Sequence, residues 1–446
     1  MKKTIVKFVV IVVLSFTLIV AASAASYQGP AVQLNQLGLF LGTDTGFSLE
    51  RAPTRAEAVT MLVRLLGLES AAESGSYSHP FTDLVAWQVP YVSLAYDMGL
   101  TTGTSDTTFN PGGLCTAQMY ATFVARALGY SDNDVTTTLW AEAINFGMGI
   151  GILDDNLNVA PFLRGHMVAV SYLALYVPTS DGAFDTLLAK LVSDGAVTAA
   201  AAADAVAYLA LINEYNAVGS SYAALPNIDI SVDLSYEIAM LGETVPITSS
   251  MDMAVIGTTS AAQRAIKHNF ANRMMGISVD REIYTTDGFI YQNMRNQKTR
   301  ISIADSAGIS LNELFAISDA VKQVASSVYR PYMVGSLAKG TESGQTVYSA
   351  RVSADNVDSI IQIVIGMSAG LGELAPNSYS GSLNGDIAMK TYVNAAGEPV
   401  KIVMAFNVGM IIDGLEIEAD VDLVLDINAT GSNVRVEFPS DLDQYR

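Results

Sequence analysis

The pattern of apolar and polar positions divides the chain near residue 225. Before it, apolar residues recur at the spacing of amphipathic helices; after it, they alternate with polar ones, the period of half-buried strands. The helical half repeats itself. Thr54-Arg55-Ala56-Glu57 opens a run that closes at Arg64 and Gly67, and Thr116-Ala117-Gln118-Met119 opens a parallel run that closes at Arg126 and Gly129. A threonine N-cap, an arginine near the end and a glycine beyond it are what helix termini favour. A weaker third copy starts at Arg164-Gly165-His166-Met167 and runs through Leu175. A glycine-bearing loop precedes each copy, with Gly38 and Gly42 first, Gly99 and Gly103 second, and Gly147, Gly149 and Gly151 third. The pairs Gly99/Gly103 and Gly147/Gly151 share one spacing. The repeats are set at 31–69, 78–130 and 135–176, each predicted as helix, glycine-turned loop and second helix. Residues 177–225 form an alanine-rich helical extension or linker that ends at Gly219-Ser220-Ser221 and Pro226.

From residue 226 to 446 the signals are those of strands. Ile228, Ile230, Val232, Leu234 and Tyr236 alternate with Asp229, Ser231, Asp233, Ser235 and Glu237, and Met251, Met253 and Val255 continue the pattern. Further strands are expected at 275–284, 288–294, 298–303, 332–337, 346–352, 386–393, 400–408, 415–427 and 433–438. Asp287-Gly288, Asn296-Gln297 and Asn394-Ala395-Ala396-Gly397 supply hairpin chemistry. Two apolar-striped helices are expected at 311–328 and 355–367. The chain is thus expected to be multidomain, an all-α repeat domain followed by an α+β domain with a large antiparallel sheet and helices on one face.

Charge and composition narrow the function. With 24 Lys+Arg against 44 Asp+Glu the formal net charge is −20, which argues against nucleic acid or an anionic membrane surface as a partner. One cysteine, Cys115, makes no internal disulfide, and with His79, His166 and His268 it is too little for a Cys/His zinc site. Lys2, Lys3 and Lys7 precede an apolar run over 8–20 and then Ala22-Ser23-Ala24, the layout of a secretory signal peptide at 1–24. The alternative is a retained anchor, for which the run is short against the roughly 20 residues a span needs. Cleavage would remove three lysines and leave −23. The mature protein is expected to be secreted and not membrane-spanning, and because Ala25, not a cysteine, directly follows the cleavage site, it is not expected to carry a lipid anchor.

The repeats resemble the S-layer homology domain. The second copy carries Phe81-Thr82-Asp83, Trp87, Tyr91, Gly99, Gly103, Phe109-Asn110-Pro111 and the helix from Thr116; the first keeps Thr54-Arg55-Ala56-Glu57. The resemblance implies three helix-loop-helix repeats about a pseudo-threefold axis, with grooves that bind pyruvylated secondary cell-wall polysaccharide. It assigns polysaccharide binding to Thr54, Arg55 and Glu57, to Asp83 and Trp87, and to Arg164. A helix-start arginine suits the carboxylate of a pyruvyl ketal, giving it a bidentate charged donor beside backbone N–H groups. The family arginine falls on Arg55 and Arg164 but on Ala117 in the second copy, and the family glutamate becomes Met119 and His166. Arg55 and Arg164 can equally serve as helix-terminal salt bridges, Trp87 as core rather than sugar platform, and Trp140 reads as core.

The second half resembles the lipoprotein-carrier (LolA-like) half-barrel, through its order of elements, Tyr284-Thr285-Thr286-Asp287-Gly288-Phe289-Ile290-Tyr291 and the closing Val434-Arg435-Val436-Glu437-Phe438-Pro439. That fold implies a curved sheet wrapped on helices, with room for a lipid or other apolar ligand. Met240, Met251, Met253, Met274, Met275, Met294, Met333, Met389, Met404 and Met410 are flexible apolar side chains suited to such a lining, or to filling a core. Asp420, Asp422 and Asp426 alternate along a strand as a solvated face, with a calcium role as the alternative.

No nucleophile elbow or phosphate-binding lysine loop appears, and no cofactor, metal or enzymatic activity is expected. The expected protein is a non-catalytic surface protein, held on the bacterial wall by its repeats and carrying an apolar-ligand module. The alternative is a structural surface-layer or envelope assembly protein with no small-molecule ligand.

Overall fold

The computed structural model describes residues 27–42, 46–223, 227–240, 243–256, 265–274, 277–294, 296–303, 329–353, 379–383, 385–412 and 415–446. The expected signal peptide and the helices expected at 311–328 and 355–367 lie outside the described residues. The chain forms two compact units. One comprises Ala25–Ala210 with Arg330–Gly335; the other comprises Leu211–Tyr329 and Ser336–Arg446.

The first unit is helical. Its helices are α1 (Gln28–Gln36), α2 (Arg55–Leu65), α3 (Glu69–Ser74), α4 (Val89–Asp97), α5 (Ala117–Ala127), α6 (Leu139–Gly149), α7 (Arg164–Ala174) and α8 (Leu187–Ser193), followed by the first part of α9 (Ala199–Ala223). Threonines do the capping that the sequence predicts. Thr54 accepts from the Glu57 amide while Glu57 accepts from the Thr54 amide, and Thr116 and Thr138 accept from Met119 and Ala141. The apolar stripes of these helices bury Leu62, Leu65, Tyr120, Leu128, Met167 and Tyr172 in one core.

Two helix starts in this unit are seated on loops from other repeats. The Arg55 and Ala56 amides donate to the carbonyls of Gly113 (2.7 Å) and Pro111 (3.1 Å), and the Arg164 and Gly165 amides to those of Arg51 and Leu49 (both 2.9 Å). Orphan N–H groups of the first turn are thereby satisfied by a neighbouring repeat.

The glycine phasing of the third repeat differs from the expectation. Gly147 lies inside α6, where an added Cβ would sit 3.4 Å from both the Ile152 and the Leu153 side chains. The residue in the left-handed conformation after α6 is Gly151 (φ +85°), matching Gly38 (φ +76°) after α1 and Gly99 (φ +70°) after α4. The helix end, not the glycine spacing, sets the register of the repeat.

The second unit is built on an antiparallel sheet. Its strands are β1 (Ile228–Met240), β2 (Glu243–Ile256), β3 (Ala265–Met274), β4 (Ile277–Thr286), β5 (Phe289–Met294), β6 (Gln297–Ser302), β7 (Val334–Glu342), β8 (Gln345–Val352), β9 (Tyr379–Leu383), β10 (Ile387–Val393), β11 (Pro399–Ile412) and β12 (Leu415–Thr430). They run in the order β6-β5-β4-β3-β2-β1-β12-β11-β10-β8-β7, with β9 on β11. Asp287 and Gly288 make the β4–β5 turn with φ of +53° and +78°, as a two-residue hairpin requires. β3 and β9 are additions to the expected strands. Residues 433–438 are not a strand, since a short 3-10 turn (Gly431–Asn433) ends β12 and the chain runs on without pairing.

One face of the sheet is apolar. Ile230, Val232 and Leu234 of β1, Met251 and Met253 of β2, Met404 of β11 and Leu423 and Leu425 of β12 are all buried. From Leu211 onward, α9 lies against β8 and β10. Tyr215 shares a hydrogen bond with Thr391 (3.0 Å) and packs on Tyr348, while Asn216 exchanges two hydrogen bonds with the Tyr329 backbone. The opposite face presents Asp233, Glu237, Asp252, Asp420 and Asp422 to solvent. Among the described residues no helix is long and apolar enough to cross a membrane.

Candidate functional site

The helical unit holds a groove of about 380 Å³ between the loop after α1, the outer face of α2 and the start of α4. Glu57, Thr60, Met61 and Arg64 of α2 line one wall, because positions three, four and seven apart share a helix face. Trp87 and Tyr91, four residues apart, line another. Arg51 and Arg164 complete the lining together with Phe40, Leu41 and Gly42.

Charge in the groove is organised around Glu57. Arg51 grips it with two bonds, Nη1 to Oε2 at 2.8 Å and Nη2 to Oε1 at 2.5 Å, and the Thr54 amide donates to Oε2 at 2.8 Å. Burial opposes ionisation of Glu57. The bonds from Arg51 and Thr54 and the nearby Arg51 and Arg164 charges outweigh it and hold the carboxyl below its ordinary range. Arg64 pairs with Glu69 (2.7 Å) and stands over the Tyr91 ring. Tyr91 donates toward Glu73 (2.8 Å) and Glu69 (3.1 Å); burial and these two carboxylates push its hydroxyl up to about 12.

Arg164 is placed differently. It is only 7% exposed, its Nε donates to the Phe47 carbonyl (3.2 Å), and its guanidinium stands over Phe40. Among the described residues it forms no ion pair, so its charge is uncompensated by a carboxylate contact where it lines the groove. Burial lowers its pKa from the ordinary arginine value, which leaves it a cation at any physiological pH. Trp87 is 50% exposed and Trp140 43% exposed, so neither indole is the core residue that one reading of the sequence allowed.

Three of the six residues assigned by resemblance meet here: Glu57, Trp87 and Arg164. The other three form the frame. Arg55 is 6% exposed. Its Nη2 donates to the Thr102 carbonyl (2.5 Å) and Thr101 Oγ1 (3.3 Å), with the guanidinium over Phe109 and Phe123 at 4.7 and 5.3 Å. Thr54 is spent on the α2 cap. Asp83 accepts the Phe109 and Asn110 amides at 2.9 and 2.7 Å. Although burial opposes its ionisation, these bonds hold its carboxyl below the usual range while it fixes the turn at Asn110. Arg51, Arg64 and Tyr91 are the groove-lining residues that sequence reasoning missed. The i, i+4 step from Trp87 to Tyr91 and the i, i+7 step from Glu57 to Arg64 were the signals available.

Residues 80–116 match the model of the S-layer homology domain. That stretch runs through Asp83, Trp87 and Tyr91 to the N-cap of α5. A cell surface protein of Thermoanaerobacter kivui is 32% identical over 161 residues, a match covering 34% of this chain and 20% of that protein. The match therefore spans about a fifth of that relative's length. Among solved structures, LprF from Mycobacterium bovis aligns with a TM-score of 0.30 at 15% identity, covering 52% of this chain and 96% of that one. A LolA superfamily protein from Nitrosomonas europaea aligns with a TM-score of 0.14 at 8% identity, covering 53% and 96%. The S-layer homology domain and the surface-protein relative indicate a secreted, cell-wall-associated protein.

Proposed function

We propose that the groove lined by Arg51, Glu57, Trp87 and Arg164 docks an acidic cell-wall polysaccharide and so anchors the protein non-covalently. The observation that carries this reading is Arg164, a buried guanidinium in a groove wall with no carboxylate partner among the described residues, beside an exposed indole. A cation held by a carbonyl and an aromatic ring retains donors for an anion, and a half-exposed tryptophan offers an apolar platform for a sugar ring. A pyruvyl ketal on the polymer combines both, a carboxylate on a sugar. The role is one of binding, not catalysis, and the three repeats are read as a pseudo-threefold triplet with this groove as its polymer site. The test is binding of the full chain to purified wall before and after acid removal of pyruvyl groups. Binding is expected to fall at least tenfold after removal, a loss of about 1.4 kcal/mol. Equal binding to both walls would refute the reading.

For the sheet unit we propose an apolar ligand, such as an acyl chain, on the face that carries Met251, Met253, Met389 and Met404. The reading is supported by four buried methionines on one sheet, side chains that adapt to irregular apolar partners. Native mass spectrometry of the full chain is expected to show co-purifying lipid. A ligand-free mass after mild extraction from cells would leave the sheet as an assembly or display module.

A further inference from the structure

A second groove in the helical unit is built from positions that correspond to the first, and it is full. Tyr27-Gln28-Gly29-Pro30, at the start of α1, repeats Trp87-Gln88-Val89-Pro90 at the start of α4. Asp154 follows the helix-ending Gly151 by three residues, as Leu41 follows Gly38. His166 stands where Glu57 stands: each accepts from the amide of its N-cap residue at 2.8 Å, Glu57 from Thr54 and His166 from Leu163. The Tyr27 and His166 rings meet edge to face at 5.2 Å.

What fills this second groove is the segment Arg330–Gly335, which belongs to the helical unit although the residues on either side of it in sequence do not. Tyr332, Met333 and Val334 are 1–2% exposed. The Tyr332 ring stacks on Tyr27 (6.1 Å), its hydroxyl donates to Asp154 Oδ2 at 2.6 Å, and Arg330 Nε lies 3.5 Å from the same oxygen. The Val334–Gly335 backbone passes so close to α1 that a Cβ on Gly29 would be 2.4 Å from the Val334 oxygen. At the open groove the corresponding residue is Val89, which needs no such clearance.

The chemistry of the two grooves has diverged to match. The open one is lined by Arg51, Arg64 and Arg164; at the positions of Arg64 and Arg164 the filled one has Leu173 and Ala117. In place of cations it offers a carboxylate acceptor, Asp154, and an aromatic face, Tyr27, a pair that suits a phenol.

We propose that the second groove is self-occupied: the chain's own Arg330–Gly335 segment takes the place of an external ligand, with Tyr332 as its anchor, so that wall polymer docks in the first groove and not in the second. The closure of the second groove stands on the contacts above; only the last clause rests on the proposed wall binding.

The test uses the full chain with Gly29→Val, which restores the residue type of the open groove and forces the segment out, and with Tyr332→Ala. His166 reports, through its rate of modification by diethyl pyrocarbonate. In the unaltered protein it is expected to react at least about 100-fold more slowly than half-buried His79, and in both variants to approach the His79 rate; Tyr332→Phe, which keeps the stacking, should stay protected. Hydrogen exchange on the unaltered chain is a second measurement that survives any folding defect in the variants: the Met333 and Val334 amides should exchange no faster than those of α7. Unchanged His166 labelling in folded Gly29→Val, or exchange at 333–334 about 100-fold faster than in α7, would overturn the closure. Acceleration of His166 labelling in the unaltered protein by saturating wall fragments would show that polymer displaces the segment and would also overturn it. Failure of wall binding at the first groove, with His166 still protected, would fault the proposed function and leave the closure standing.

Discussion

Glu57 and His166 make one bond with two chemistries. Each reaches back to the amide of its helix's N-cap residue at 2.8 Å, Glu57 as a carboxylate held ionised by Arg51, His166 as a neutral imidazole whose Nδ1 accepts from Leu163. A protonated imidazole has no lone pair to offer, so the α7 bond exists only while His166 is uncharged.

That difference sets an acid limit on stability. Burial pushes the His166 pKa down to about 4 from 6.5, so between these values the unfolded chain binds a proton that the folded chain does not. Stability from this group is therefore present above pH 6.5 and lost as the pH falls toward 4, by about 2–3 kcal/mol at most. His166→Gln keeps an acceptor without a titration. Its melting temperature is expected to change less between pH 6.5 and 4 than that of the unaltered protein. Parallel curves for the two proteins would show that His166 is not the titrating group.

Arg55 and Arg164 are expected to separate stability from binding. Arg55→Ala removes two ring contacts and strands the Thr102 carbonyl, which should cost about 2–4 kcal/mol of stability. Wall affinity measured well below the lowered melting temperature should stay within about threefold, since the side chain does not line the groove. Arg164→Ala should instead weaken wall binding about 10- to 100-fold. Calorimetry and wall co-sedimentation on the same two variants decide the matter, and the reverse assignment would mean that the polymer docks on the Arg55 side.

The helix starts were legible because capping is local: Thr54, Glu57 and Thr116 announce their helices within four residues. The hairpin at Asp287-Gly288 was legible for the same reason. The groove was legible only in part. Trp87 and Glu57 stand in different repeats, and the sequence carries no sign that Arg164 lines their groove while Arg55 turns toward Thr102. The Tyr27-Gln28-Gly29-Pro30 copy lies just outside the first repeat as set at residue 31, and its partner segment is some 300 residues away along the chain, beyond any periodicity. β3 escaped because Lys267, His268, Asn269, Asn272 and Arg273 dilute the alternation that marks a strand.

The two tryptophans offer a direct optical test. The chain has two, both exposed, but only Trp87 lines the groove, and Trp140 engages Gln118 through its carbonyl. Trp140→Phe leaves one indole as a reporter. Its emission should shift to the blue and saturate as wall fragments are added, with affinity unchanged. Trp87→Ala should lower affinity about tenfold through loss of stacking area. An emission that ignores the fragments would place the polymer elsewhere.

The acidic sheet face makes a prediction that is independent of any ligand. Glu237 of β1 and Asp420 of β12 are direct cross-strand partners, both exposed, and Asp420 is held by Asn407 Nδ2 at 2.9 Å. Like charges opposite one another on a sheet repel, and reversing one of them turns the repulsion into attraction. Glu237→Lys should therefore stabilise the sheet unit by about 0.5–1 kcal/mol at low ionic strength, seen as a higher melting temperature. The gain should shrink steadily toward about 1 M salt, where the screening length is near 3 Å. Glu237→Gln removes the repulsion without adding attraction and should give roughly half the effect. A gain equal in low and high salt would assign the effect to side-chain packing on the sheet and not to charge.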